Sequence, residues 1–307
     1  MSASDVNAAG NPVETARARL GRVGVWLGSL RPASVDAEKA AARRVEELGY
    51  GSLWSGEGIG GKEAFAHSAL LLAATERLVV GTGIANLWAR HPAAMEGGGA
   101  TIGAAWPGRF VLGVGVSHAP LVERSRQSYE KPFQRITRYL EEMDDATADA
   151  PTPSLPVPRV LAALRPGMLA LSRDHADGAH PYFVPTAHTP MAREILGPDK
   201  LLIPEQAVVL AGDAEEGRRL ARDHMQMYLR LPNYANSLRH LGYGDKDLGD
   251  GGSDRLADDI VAWGDADAIA ARVREHLDGG ADHVVLQPLG DLDAALRQLE
   301  VLAPAVL

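Results

Sequence analysis

Two glycines at the end of an apolar run mark the first place where this sequence could do chemistry. Leu78-Val79-Val80 reads as a buried strand, and Gly81 and Gly83 then leave the main chain bare before Ile84, Ala85 and Asn86. A flat ligand could approach that backbone more closely than any side chain permits, although a tight strand-to-helix turn explains the same residues equally well. Leu164-Arg165-Pro166-Gly167-Met168 is the best local anion site. It joins a strand end to a helix start, where unpaired amides and the positive end of the helix dipole point outward. Arg165 would add a charge-assisted contact, or stand solvated at an ordinary turn. For proton transfer the candidates are Glu57 and His118, whose ordinary pKa lies near neutrality. Both are read as catalytic acids, with hydrogen bonding inside a loop as the alternative for each. His180 and Tyr182 line the substrate side in this reading, unless proline and aromatic packing account for them.

The elements that must hold these residues alternate. Strands are predicted over 22–27, 51–55, 78–83, 109–115, 159–163, 179–184, 205–211 and 283–287, with helical patterns between them. Ser34 is the predicted N-cap of the first helix and Gly49 its stop, Pro92 opens another, and Asp213 caps a third. Gly97-Gly98-Gly99 falls inside the helix after Pro92 and is read as close contact with the barrel. Eight strands separated by helices in 307 residues imply an α/β fold, a single closed (β/α)8 TIM barrel with right-handed crossovers. A Rossmann sheet would need a glycine fingerprint after strand one, where the chain reads Gly28-Ser29-Leu30-Arg31-Pro32.

Residues 1–20 are small and polar and are expected to form a mobile tail, leaving 21–307 as the barrel. Prolines at 151, 153, 156 and 158 predict an extended linker before strand five. Residues 231–264 read as a helical insertion before the last strand, a lid or a dimer contact, whose loop over 242–252 is too polar and glycine-rich to hold one shape unaided.

In such a barrel the carboxyl ends of the strands face the functional mouth, and the residues there exclude several chemistries. A Schiff-base aldolase needs a lysine at a strand end, and none of the five lysines is so placed. Converging histidines and carboxylates for a metal are not expected, and only Glu57 would serve a glycosidase. What remains is a mouth rich in glycine and apolar atoms, which suits a cofactor that brings its own reactivity. The absence of cysteine removes disulfides and thiolate chemistry, and a formal net charge of −9 argues against nucleic acid as a partner. No apolar run approaches the roughly 18 residues of a membrane span, and no signal peptide is apparent, so a cytoplasmic protein acting on a small molecule is expected.

The run Gly83-Ile84-Ala85-Asn86 with Arg90-His91-Pro92 resembles the bacterial luciferase-like superfamily, nearest the branch that uses the deazaflavin coenzyme F-420. Leu48-Gly49-Tyr50, Gly108-Arg109-Phe110-Val111-Leu112-Gly113-Val114-Gly115 and Ala176-Asp177-Gly178 fit the same pattern, so the resemblance extends from Gly21 to Pro288. Ala179-His180-Pro181-Tyr182 and Leu231-Pro232-Asn233-Tyr234 are similar to an actinobacterial subgroup. The resemblance implies a hydride-transferring oxidoreductase with a non-proline cis peptide between Gly83 and Ile84. It puts the ring near Gly83 to Asn86, Gly115 and Ser117, and the cofactor phosphate at Leu164 to Met168. It also implies a homodimer. Its alternatives are an FMN-dependent monooxygenase fed by a separate reductase, and a non-catalytic ligand-binding barrel. One departure matters: the histidine that many members carry after strand two is Gly58 here.

Overall fold

Each apolar run bounded by glycine or proline becomes a short strand, and intervening helices return the chain so that every strand pairing is parallel. The computed structural model describes residues 11–307. The barrel strands are β1 (Val23–Trp26), β2 (Ser52–Ser55), β3 (Val79–Thr82), β4 (Phe110–Gly115), β5 (Arg159–Leu161), β6 (Gly178–Ala179), β7 in two stretches (Leu201–Leu202 and Glu205–Leu210) and β8 (Val284–Pro288). β8 pairs β1 with Val284 opposite Val23. β7 bonds on both sides, with the Ile203 amide donating to Ala179 O at 2.9 Å and the Val285 amide donating to Pro204 O at 3.0 Å. The ring is therefore closed, and the fold is an α/β TIM barrel.

Alternation along the strands divides the side chains between two cores. Trp54, Val79, Val111, Val160, Ile203 and Val285 fill the inside of the barrel. Leu53, Val80, Leu112 and Leu286 face outward against α2 (Val35–Glu47), α4 (Pro92–Ala105), α6 (Pro132–Ala146) and α14 (Leu292–Val306). Ser34 caps α2 through its hydroxyl, and Asp213 caps α9 (Ala214–Leu229) through its carboxylate. Packing explains two of the three glycines in α4, while a Cβ on Gly97 would meet nothing within 4 Å. A Cβ on Gly98 would lie 2.6 Å from the Phe65 ring of α3 (Ala64–Ala74), and one on Gly99 would lie 3.1 Å from Leu112.

Several sequence expectations are corrected. The tail assigned to 1–20 lies outside the described residues up to residue 10, but Pro12–Leu20 forms helix α1. Asn11 caps it, and Val13, Ala16 and Leu20 pack into the barrel interior. Three buried side chains at helical spacing outweigh the polar composition around them. β6 stops at Ala179 instead of running to 184, because Pro181 and Pro185 offer no amide donors and Phe183 takes a left-handed φ of 59°. β7 starts at Leu201, before the expected 205, and helix α8 (His188–Leu196) occupies the gap in between.

The passage 231–264 is not a lone excursion. It contains α10 (Pro232–His240), α11 (Asp245–Leu248), α12 (Asp254–Ile260) and a short added strand, Val261–Gly264, that pairs with β7. With Ala221 and Met225 of α9 it forms a second apolar cluster that includes Tyr234, Leu238, Leu256 and Val261. Its glycine-rich loop is tied down by Asp247, which accepts from Gly244 N at 3.0 Å and from the Ser253 hydroxyl at 2.8 Å. Among the described residues no helix is long and apolar enough to cross a membrane.

Candidate active site

The bare strand end is built as expected. The Gly83–Ile84 peptide is cis, both residues are half-buried, and Ala85-Asn86 pairs with Val114-Gly115 of β4. The Ile84 side chain lies across Gly115, where a Cβ would stand 2.7 Å from it. On the barrel side, Trp26 Nε1 donates to Gly83 O at 3.2 Å. A Cβ on Gly83 would approach Trp26 Nε1 to 2.6 Å and His180 Nε2 to 3.0 Å, so glycine is required here by close approach. Ser117, half-buried with φ 56°, and His118 follow β4 at the same rim.

Glu57 does not have the surroundings of a proton donor. One oxygen accepts from the Asn86 amide at 2.7 Å, the other from the Ala64 amide at 3.1 Å and from the Arg90 guanidinium, and the side chain is 4% exposed. Arg90 also bonds Glu63, while its carbonyl accepts from the Tyr139 hydroxyl. Every contact made by the Glu57 carboxylate is with a donor. It therefore acts as an acceptor that clamps the loop after β2 to the glycine bulge, the hydrogen-bonding alternative to a catalytic acid.

His118 keeps a place at the mouth with altered chemistry. Its Nδ1 lies 3.1 Å from Asn233 Oδ1, which fixes Nδ1 as the donor and leaves Nε2 as an acceptor. Burial lowers its pKa below the usual histidine value, and the bond to Asn233 only partly offsets this. The neutral ring is suited to take a proton, where the sequence reading made it an acid.

His180 is not on the substrate side. It is buried beneath Gly83, stacks on Trp54 with ring centroids 4.9 Å apart, and places Nδ1 2.7 Å from Ile203 O. Burial pulls its pKa down to about 4 and its Nε2 has no partner. Tyr182, two residues on, does reach the upper layer. Its ring is 5.3 Å from Trp26, and its hydroxyl donates to Gln287 Oε1 and bonds the Tyr228 hydroxyl, each at 2.7 Å.

Across the mouth, Arg165 caps α7 (Pro166–His175) without a side-chain bond, and Arg165, Pro166 and Gly167 are exposed between half-buried Leu164 and Met168. The segment leading to this point starts at Ser117, whose carbonyl accepts from the Tyr129 hydroxyl at 3.2 Å, and ends at Phe133, 3.8 Å from where a Gly167 Cβ would stand. Arg124, Arg126 and Lys131 along it are all exposed.

Three groups escaped the sequence reading. Arg31 fills the space beside Gly58, its Nη2 lying 3.2 Å from where a Cβ there would stand. Tyr228 of α9 and Tyr234 of α10 pack edge to face, with centroids 5.4 Å apart, in an aromatic cluster with Tyr182 and Phe183. Glu205, on β7, is 2% exposed. Its Oε2 accepts from the Phe183 amide at 3.0 Å, its Oε1 has no partner, and burial pushes its pKa up to about 8. A carboxylate in a strand whose only other polar residue is Gln206 was the available signal. Among the described residues no group of histidines and carboxylates could hold a metal ion.

A closed parallel barrel whose mouth offers bare main chain and few free ionisable groups suits a cofactor that brings its own reactivity. The chain belongs to the luciferase-like monooxygenase family, whose model matches residues 18–283. A Mycobacterium tuberculosis protein described as a candidate coenzyme F-420-dependent oxidoreductase is 31% identical over 123 residues. That match spans 39% of this chain and 35% of the relative's length. In fold the chain is similar to an F-420-dependent secondary alcohol dehydrogenase in complex with an F-420-acetone adduct (TM-score 0.73, 14% identity, 93% of this chain and 99% of that one). It is also similar to the F-420-dependent tetrahydromethanopterin reductase of Methanopyrus kandleri (0.68, 14%, 93% and 99%). An FMN-bound oxygenating constituent of 3,6-diketocamphane monooxygenase from Pseudomonas putida is comparably similar (0.69, 13%, 93% and 98%).

Proposed function

We propose that this protein binds coenzyme F-420 across the barrel mouth and uses it to move a hydride to or from a small organic substrate. The residues fit that group. Half-buried Gly83 and Ile84 offer a flat heterocycle a surface without projecting polar side chains, and exposed Arg165 to Gly167 offer an amide and a cation to its phosphate. The observation that favours the deazaflavin over a plain flavin is the excess of exposed cations near the anion site, Arg124, Arg126, Lys131 and Arg165 against Glu123 and Glu130, which suits a cofactor whose side chain ends in carboxylates.

When bound, the deazaflavin supplies a two-electron hydride donor or acceptor. The chain supplies placement and proton handling. Glu57 and Arg90 hold the bulge against the loop after β2, and Trp26 with Tyr182 closes the barrel below the ring and keeps water out. His118 Nε2 accepts a proton at the rim, and Arg31 places a positive charge beside Gly58.

Titration of F-420 with purified protein, followed by fluorescence, tests the reading, with quenching that saturates at micromolar protein as the expected result. Saturable FMN binding without F-420 quenching would replace this reading by the monooxygenase one, since the same cations would take a terminal phosphate. Binding of neither would leave a non-catalytic barrel. A homodimer, and a separate reductase in the FMN case, belong to the same proposal, and sedimentation velocity tests the first.

A further inference from the structure

Resting on the reading above, we propose that Asn233 is the positioning residue of His118: its amide oxygen holds the proton on Nδ1, so that Nε2 meets the mouth as a proton acceptor. The geometry of the contact carries this assignment. Asn233 Oδ1 lies 3.1 Å from His118 Nδ1, and among the described residues neither side chain has another hydrogen-bond partner. Both residues are half-buried at the rim, and His118 Nε2 keeps exposed surface, unlike the Nε2 atoms of His180 and His224. An imidazole nitrogen that donates to a carbonyl oxygen leaves the lone pair on the other nitrogen.

The fold brings Asn233 to the ring from an anchored helix. Pro232 opens α10 and fixes its first turn, and the Leu231 amide donates to Tyr228 O at 2.9 Å, which ties that turn to α9. Tyr234, the next residue, is buried against Phe183 and Tyr228, and its ring lies 5.2 Å from that of His118. One turn of α10 thus supplies both the amide and the aromatic contact that orient the same histidine. The insertion over 231–264 therefore contributes part of the proton-handling site.

An amide in this place has a definite consequence. Asn233 accepts from Nδ1–H whether the ring is neutral or charged, so it fixes the tautomer without favouring the imidazolium as a carboxylate would. The titratable groups nearest the ring are Tyr234 and Tyr129, which bonds the carbonyl of Ser117; burial pushes both phenols up, so neither carries charge at neutral pH. Glu123 and Arg124, on the short helix that follows His118, are exposed. No charged side chain bears on the ring: burial lowers its pKa, and the bond to Asn233 is the single opposing cause. His118 therefore stays neutral with its outward lone pair free.

Ring-nitrogen NMR correlation spectra of the histidine-labelled chain without cofactor test this, with the His118 signals assigned through His118→Gln. The wild type should show the neutral Nδ1–H form at pH 7 and a titration midpoint below the ordinary histidine value. Asn233→Asp keeps the acceptor and adds a charge, so it should retain Nδ1–H and raise the midpoint by about 1–3 units. Asn233→Leu removes the acceptor and should release the ring to the Nε2–H form that free histidine side chains prefer. A residue with a merely structural role would change melting and leave tautomer and midpoint alone. An Nε2–H ring in the wild type, an unmoved midpoint in Asn233→Asp, or Nδ1–H retained in Asn233→Leu would each overturn the assignment. If both variants fail to fold, the wild-type tautomer decides by itself. F-420 quenching by the wild type is scored separately, so loss of the cofactor reading and loss of the Asn233 assignment are distinguishable.

Discussion

Replacing Glu205 by glutamine should stabilise the protein, by an amount that grows with pH. In the folded chain burial pushes this carboxyl to about 8, against an ordinary value of 4.5. A raised carboxyl pKa means that the folded state binds the proton more tightly than the unfolded chain. Its contribution is fully present below pH 4.5 and is lost as pH climbs toward 8. Over that window the penalty grows by about 1.4 kcal/mol per pH unit, reaching on the order of 3 kcal/mol at pH 7. Glutamine preserves the side-chain oxygen that accepts from Phe183 N and carries no charge, so it escapes the penalty. Urea unfolding of wild type and Glu205→Gln at pH 5, 6, 7 and 8 measures the gap directly. Curves separated by the same free energy at all four values would refute the claim that Glu205 is a neutral acid in an uncompensated site.

Three further outcomes follow from the same geometry. Burial holds His180, His188, His224 and His283 at about 4 and His276 at about 3, so their stabilising neutrality is present above pH 6.5 and is lost as pH falls toward 4. Unfolding free energy should drop steeply across that interval, and a flat acid limb in denaturant titrations would contradict it. Glu57→Gln should cost about 1–3 kcal/mol, because Arg90 loses its buried carboxylate and keeps only exposed Glu63, and should weaken F-420 binding by loosening the bulge; unchanged melting and unchanged quenching would remove the clamp role. Gly83→Ala pushes a methyl into Trp26 and His180, so a loss of about 1–3 kcal/mol is expected together with loss of cofactor quenching, whereas wild-type behaviour in both would show that the close approach is unimportant.

Much of the barrel could be read from local signals. Strand ends marked by glycine, and caps such as Ser34 and Asp213, act within a few residues, and the chain obeys them. The bare rim at Gly83 was legible for the same reason. What sequence could not give was parity and partnership. Glu205 looked like the first residue of a strand after Pro204, and its inward direction follows only from the earlier start of β7 at Leu201. For Glu57 the sequence leaves an acid and a hydrogen-bonded residue open, and only Arg90, 33 positions away, with the amides of Ala64 and Asn86, decides between them. Arg31 entered the space beside Gly58 through a contact between two loops, and α1 was hidden because only three of its side chains are apolar and buried.

The central claim is that the mouth seats a deazaflavin, and a crystal structure of the protein with F-420 tests it most directly. The account predicts the ring in van der Waals contact with Gly83 and Ile84 and the phosphate beside Arg165 to Met168. Density for the cofactor at another surface, or a ring held away from Gly83 by Trp26 and Tyr182, would contradict it.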